Sequence, residues 1–77
     1  MKNLISLLEL RKGERGVIVS IKGGRGVIQR LSDMGLTPGT EVSITNSVSF
    51  GPVEISVRGS KLAIGRGIAM KILVERK

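Results

Sequence analysis

The sequence lacks cysteine, histidine, tryptophan and tyrosine, and its only aromatic residue is Phe50. Without cysteine there can be no disulfide and no thiolate zinc site. The usual general bases and the thiol nucleophile are missing as well, and the six acidic residues show no spacing typical of a catalytic pair. We therefore predict that the protein is not an enzyme, with neither a cofactor nor a small-molecule substrate.

The same absences limit metal binding. Carboxylate and carbonyl oxygens remain as ligands, and these suit hard ions better than tight capture of iron or zinc. The three methionines are more typical of core filler than of metal ligands. We predict no specific metal site, while weak binding of a transition metal ion stays open.

A chain with one aromatic residue cannot build two common binding surfaces. Proline-rich peptides need an aromatic-lined groove, and unpaired bases need aromatic side chains on which to stack. No stretch approaches the ~20 apolar residues of a membrane helix. The opening residues 1–8 are too short for a secretory signal, and we expect them to form a helical turn that caps the core with Leu4, Leu7 or Leu8. A cytoplasmic location follows as an expectation.

Positive charge is in excess, with thirteen Lys and Arg against six acidic residues, a formal net charge of +7. Such a charge favours acidic partners but does not specify a fold. The cations are spread along all 77 residues, which is more typical of a solvated surface than of a nucleic-acid interface. We expect no nucleic-acid partner, although an RNA- or ribosome-associated basic barrel remains the alternative.

Alternating apolar and polar residues predict short strands joined by tight turns. Two turns are expected, a hairpin loop at Ser49–Pro52 and a two-residue turn at Gly59–Ser60. Asn46 breaks one alternation and is expected to mark a strand end or a bulge. The predicted strands, with their inward residues, are 16–22 (Val17, Val19, Ile21), 40–48 (Val42, Ile44, Val48), 53–58 (Val53, Ile55, Val57), a short one with Leu62 and Ile64, and a last one with Ile72 and Val74.

Residues 25–34 predict a helix whose apolar face is Val27, Ile28, Leu31 and Met34. Gly35 is the expected left-handed residue after the helix, and it lets Leu36 fold back on Leu31. The glycine-rich loop 23–26 could hold an anion at the helix start, but a flexible turn is the favoured interpretation. About five strands and one short helix predict a mostly β fold, a small SH3-like, partly open β-barrel, as a single domain over residues 1–77.

The segment Arg30–Gly39 resembles the signature of the FeoA family, small accessory proteins of ferrous iron transport. Their pattern Arg-Leu-x-Asp-Met-Gly-Leu-x-Pro-Gly is matched at each specified position, and Phe50–Val53 and Gly59 fit as well. The resemblance implies an SH3-like barrel that works beside FeoB, a membrane ferrous iron permease with a cytoplasmic GTP-binding domain. The module also resembles the C-terminal domain of DtxR-type repressors, so a stand-alone metal-sensing domain is a third hypothesis. The matching positions that are expected to be structural are Leu31, Asp33, Met34, Gly35, Leu36, Pro38 and Gly39.

Contact with the permease is expected at the hairpin loop and the helix. Phe50 beside Gly51 and Pro52 either plugs the barrel end or stays exposed as an anchor, with Arg25 and Arg30 as a basic rim. Gly65 and Gly67 stand where the family usually has helix formers, so we expect the helix before the last strand to be frayed or reduced to a turn.

Overall fold

The computed structural model describes residues 4–47 and 50–77, which form one antiparallel sheet with two short helices. The sheet order is β1-β6-β2-β3-β4-β5. A 3₁₀ turn at Leu7–Glu9 follows the first strand. The strands are β1 (Leu4–Ser6), β2 (Arg15–Ile21), β3 (Glu41–Ser47), β4 (Val53–Val57), β5 (Ser60–Ile64) and β6 (Ile72–Arg76), and the helices are α1 (Arg25–Asp33) and α2 (Arg66–Ala69).

The predicted mostly β, partly open barrel is confirmed, but with six strands instead of about five. The additional strand is β1, which pairs with β6 and places Leu4 opposite Glu75. Over residues 4–47 and 50–77, no ladder joins the two end strands β1 and β5, so the sheet is curled without closing. Its concave side holds an aliphatic core, as expected for a chain with a single aromatic residue.

The segment before the barrel does cap the core, although only part of it is helical. Ser6 begins the 3₁₀ turn: its hydroxyl accepts a hydrogen bond from the Leu8 N–H at 3.1 Å, and its own N–H donates to the Glu9 carboxylate at 2.9 Å. Leu7 and Leu10 are thereby buried. Of the predicted capping residues Leu7 fulfils the role, whereas Leu4 lies exposed on β1.

The inward face of β2 differs from the prediction. Ile18 is buried, whereas Val19 is exposed and Val17 is only partly buried. Ile18 lies opposite Val74 and Ile21 lies opposite Ile72, so four residues of β2 match three of β6. A β-bulge between Ile18 and Ser20 absorbs the extra residue and turns both isoleucines toward the core.

Strands β3 and β4 follow the predicted alternation. Val42 and Ile44 on β3 are buried, as are the three predicted residues of β4. The expected irregularity at Asn46 is confirmed, because the register of β3 with β4 shifts between Ile44 and Asn46. Val48 and Ser49, predicted as an inward residue and a loop residue, lie outside the described residues.

The turn between β4 and β5 lies one residue earlier than predicted. Val57 pairs with Ser60, so the two turn residues are Arg58 and Gly59. Both have positive φ, 50° and 84° respectively. This is the requirement of a type I′ turn, whose twist matches that of the flanking strands.

Helix α1 ends as the sequence predicts. Gly35 adopts a φ of +87°, its N–H donates to the Ser32 carbonyl at 2.9 Å, and the Leu36 N–H donates to the Leu31 carbonyl at 2.9 Å. These two bonds define a Schellman motif. They return the chain to the barrel, where Leu31 and Leu36 are both buried.

Helix α2 is a single turn of four residues. Gly65 precedes it without a side-chain cap, and the Ala69 N–H donates to the Gly65 carbonyl at 2.9 Å. Ala69 is fully buried, so the turn is held by packing despite Gly67 in its middle. The expectation of a helix reduced to a turn therefore holds.

Candidate partner-binding surface

Helix α1 turns only part of its predicted apolar face toward the barrel. Leu31 is buried and Val27 packs partly against the core, but Ile28 is 41% exposed and Met34 is 36% exposed. Val27 and Leu31 are four residues apart and lie in one line, whereas Ile28 is rotated away from that line by one helical step. The prediction that all four residues face inward is therefore wrong for Ile28 and Met34.

An apolar cleft separates α1 from the end of β5 and from α2. Its volume is about 510 Å³. Within the described part of the chain, Arg30 is the one charged residue among those that line it, and none of them is acidic. The lining residues are Gly26, Val27, Arg30, Leu31, Met34, Ala63, Ile64, Gly65 and Ile68.

Phe50 is fully exposed, so the interpretation of this side chain as a plug is wrong. Gly51 beside it is partly buried and Pro52 is exposed. Three residues further on, Val53 lies opposite Ile64, one of the residues that line the cleft. The Phe50 loop thus leaves the β4–β5 pair at the end where the cleft lies.

Arg25 and Arg30 are both exposed on α1. Within residues 4–47 and 50–77 neither of them forms an ion pair. The carboxylate of Asp33 accepts a hydrogen bond from the Gln29 amide at 2.9 Å. Two cations and two apolar side chains are therefore exposed on α1 and just beyond its end.

Ion pairs are found elsewhere, where the strands β2, β3 and β6 meet. Arg76 lies 3.5 Å from Glu14, and Glu41 lies 2.8 Å from Lys77 and 3.6 Å from Arg15. The hydrogen bond from Lys77, with its charge and that of Arg15, lowers the pKa of Glu41 below its ordinary value of 4.5. Glu41 is therefore ionised around neutrality and compensates the positive charge of Lys77 and Arg15. In the described part of the chain it forms no ion pair with the cations of α1.

The glycine-rich loop before α1 serves the backbone. Gly23 has a φ of +139°, a conformation that side chains rarely adopt. Gly24 precedes the helix, and its carbonyl accepts the Ile28 N–H at 3.1 Å. This geometry supports the interpretation of the loop as a turn.

The described residues contain neither a cluster of metal ligands nor a membrane-spanning helix. Residues 4–47 and 50–77 contain no group of three acidic, histidine or cysteine side chains placed to hold a metal ion. None of the helices in this part of the chain is long and apolar enough to cross a membrane.

The structure brings the predicted partner-binding residues into two neighbouring segments, α1 with Arg25 and Arg30 and the loop with Phe50, Gly51 and Pro52. Sequence reasoning missed the apolar part of the surface, including Ile28, Met34 and the exposed Met70.

The chain is thus a small, partly open barrel with an exposed apolar and basic surface. Residues 5–76 match the FeoA domain. The chain belongs to the FeoA family, whose members are accessory proteins of ferrous iron transport. The same barrel is seen in solved structures.

The chain is 45% identical over 65 residues to the Fe(2+) transport protein A of Methanocaldococcus jannaschii, covering 84% of this chain and 78% of that protein. A crystal structure of the iron uptake regulatory protein FeoA superposes with a TM-score of 0.93 at 39% identity, covering 97% of this chain and all of the other. A manganese-dependent transcriptional repressor shares the fold at a TM-score of 0.91 but only 15% identity, and this chain covers 44% of it.

Proposed function

We propose that this chain is a cytoplasmic, non-enzymatic accessory of ferrous iron uptake that binds the cytoplasmic portion of a FeoB-type permease. Membership of the FeoA family supports the process, and the names of its relatives refer to Fe(2+) transport and to iron uptake. The absence of histidine, cysteine and tyrosine from the sequence supports a binding role over a catalytic one. Any contact with the membrane is then made through the permease.

The exposure of Phe50 carries this proposal. A large apolar side chain that contributes nothing to a core is costly to leave in water, and aromatic anchors carry much of the energy of protein interfaces. The only aromatic residue of the chain is fully exposed at a loop tip. At this position the Phe50 ring cannot stabilise the barrel, but it can contact a partner.

The charges beside the cleft indicate the kind of surface that Phe50 approaches. Arg25 and Arg30 are exposed on α1, and the net charge of the sequence is +7. Basic side chains at the rim of an interface accelerate encounter with an acidic partner, more than they add to affinity. We expect an acidic face on the permease opposite α1.

The test is the replacement Phe50→Ala, with binding to the full-length permease in nanodiscs as the measurement. Loss of an interface anchor costs about 2 kcal/mol or more, a decrease in affinity of about thirtyfold. The free energy of unfolding should change by less than about 0.5 kcal/mol, because exposed positions away from special features tolerate substitution.

Val19→Ala is the matched control, since Val19 is also an exposed apolar residue but lies at the bulge of β2. It should leave permease binding unchanged. If the unaltered protein does not bind the permease, the proposed function is wrong. If it binds and Phe50→Ala binds equally well, the loop is not part of the interface.

A further inference from the structure

Strand β5 is an open edge of the sheet. It pairs with β4 on one side, and among the described residues no strand pairs with its other side. In a two-residue hairpin the residues that flank the turn form a hydrogen-bonded pair, here Val57 with Ser60, and such pairs alternate along the ladder. Lys61 and Ala63 therefore direct their backbone N–H and C=O groups away from β4, toward the open side.

Among the described residues this edge is longer than the other one. β1 has three residues, whereas β5 has five and pairs with β4 without any register shift. Proteins usually protect such an edge with proline, a bulge or a charge. On β5 the protection is the single charge of Lys61, which leaves the strand able to accept another strand.

The open side of β5 borders the apolar cleft. Ala63 and Ile64 form one wall of the cleft, and Leu31 of α1 and Met34, which follows the helix, belong to the opposite wall. A strand added to β5 would point alternate side chains to one face of the sheet. Its side chains on that face would enter the 510 Å³ cleft.

The charges around this edge select an acidic segment. Arg58 and Lys61 are exposed at the start of β5, and Arg30 lines the cleft near its end. None of these three cations forms an ion pair in the part of the chain that the structure describes. An occupant with acidic residues flanking an apolar one would complement both the rim and the cleft.

We propose that the partner binds by strand addition: an extended, acidic segment pairs with β5 and places an apolar side chain in the cleft against α1. This mode uses main-chain hydrogen bonds for affinity and the side-chain pocket for specificity. It rests on the proposed function, because it names how the permease is held. Phe50, at the same end of the β4–β5 pair, then contacts the partner beyond the added strand.

Hydrogen exchange at single amides tests the backbone bonds directly. In the free protein the amides of Lys61 and Ala63 should exchange fast, while that of Leu62, bonded to β4, is already protected. Saturating full-length permease in nanodiscs should slow exchange at Lys61 and Ala63 at least tenfold, as read by fragmentation mass spectrometry after quenching. Unchanged exchange at both amides in a complex that forms would overturn strand addition.

Proline substitution separates the backbone of this edge from its side chains. Lys61→Pro removes an outward N–H, and proline is tolerated in edge strands where that N–H faces solvent. We expect the variant to fold and to bind the permease at least tenfold more weakly. Lys61→Ala removes the charge but keeps the N–H, so it should lose less affinity than Lys61→Pro.

Three outcomes distinguish this proposal from the proposed function. If the unaltered protein fails to bind the permease, the proposed function fails. If Lys61→Pro folds by circular dichroism and binds as well as Lys61→Ala, the permease is held without strand addition. If sedimentation shows that the protein alone forms a dimer that Lys61→Pro dissociates, a second copy occupies the edge and the proposed occupant is wrong.

Discussion

Gly35 shows how a single residue fixes the end of a helix. Its φ of +87° is a conformation that costs other residues about 1–2 kcal/mol, and no atom lies within 4 Å of the position that a Cβ would occupy. Backbone strain alone should therefore destabilise Gly35→Val by about 1–2 kcal/mol. For a domain of this size the melting temperature falls by about 4–8 °C for each kcal/mol, which calorimetry would detect.

Gly26→Ala provides the matched control for this glycine. Gly26 also has open space where a Cβ would lie, but it is in the first turn of α1 without a positive φ. Alanine there should stabilise the helix by about 0.5–1 kcal/mol. A Gly35→Val protein that melts no lower than the unaltered one would contradict the assigned role of this residue.

The local pattern at Gly35 was predictable, whereas the state of Phe50 was not. After a helical pattern, a glycine that is followed by leucine and, two residues later, by proline indicates a left-handed residue at the end of the helix. This signal does not depend on the rest of the fold. Burial of Phe50 depends on whether the barrel end has room for a ring. That is a property of the assembled sheet, so both interpretations stayed open until the structure showed the exposed ring.

At the scale of the strand, β2 illustrates where alternation fails. Val17, Ile18 and Val19 are three consecutive β-branched residues, so the pattern cannot decide which of them faces the core. The choice is made by pairing with β6, where a bulge lets both Ile18 and Ile21 face inward. Strands β3 and β4 were predictable because polar residues separate their apolar ones.

Two conservative replacements can test which residues of β2 face the core. Ile18→Val removes one methylene group from a buried position and should cost about 0.5–1.5 kcal/mol of unfolding free energy. Val19→Thr, at an exposed position, should change it by less than about 0.5 kcal/mol. Urea denaturation of both variants decides the matter, and a larger loss for Val19→Thr would contradict the bulge.

At the scale of the whole molecule, the net charge of +7 raises the alternative of RNA binding. Binding by phosphate contacts alone weakens steeply as salt rises, and this chain has no set of aromatic residues on which bases could stack. We predict that no RNA complex persists at physiological salt. Filter binding at about 50 and 200 mM salt tests this, and a tight complex at the higher concentration would favour an RNA-associated barrel.

The overall architecture was predictable because its signals are local in the sequence. The functional surface was not, because it is formed by elements that are distant in the sequence. Alternation of apolar and polar residues, glycines at turns and the scarcity of aromatic side chains favour a small barrel, and they can be recognised without knowing how the strands are arranged. The cleft and the β5 edge exist only once α1, β5 and α2 are assembled. Sequence reasoning placed Arg25 and Arg30 at the surface and left Phe50 open between a plug and an anchor, but it had no means of placing Ala63 and Met34 on one cleft.

The pairing of β1 with β6 has a consequence for how the chain folds. Leu4 lies opposite Glu75, and β6 also forms the ladder that holds β2. Such non-local pairings slow folding to milliseconds or seconds, compared with microseconds for helical bundles. During synthesis β2 can pair with β3 early, but β1 has no neighbour until β6 has left the ribosome, so the sheet is completed only after translation of β6.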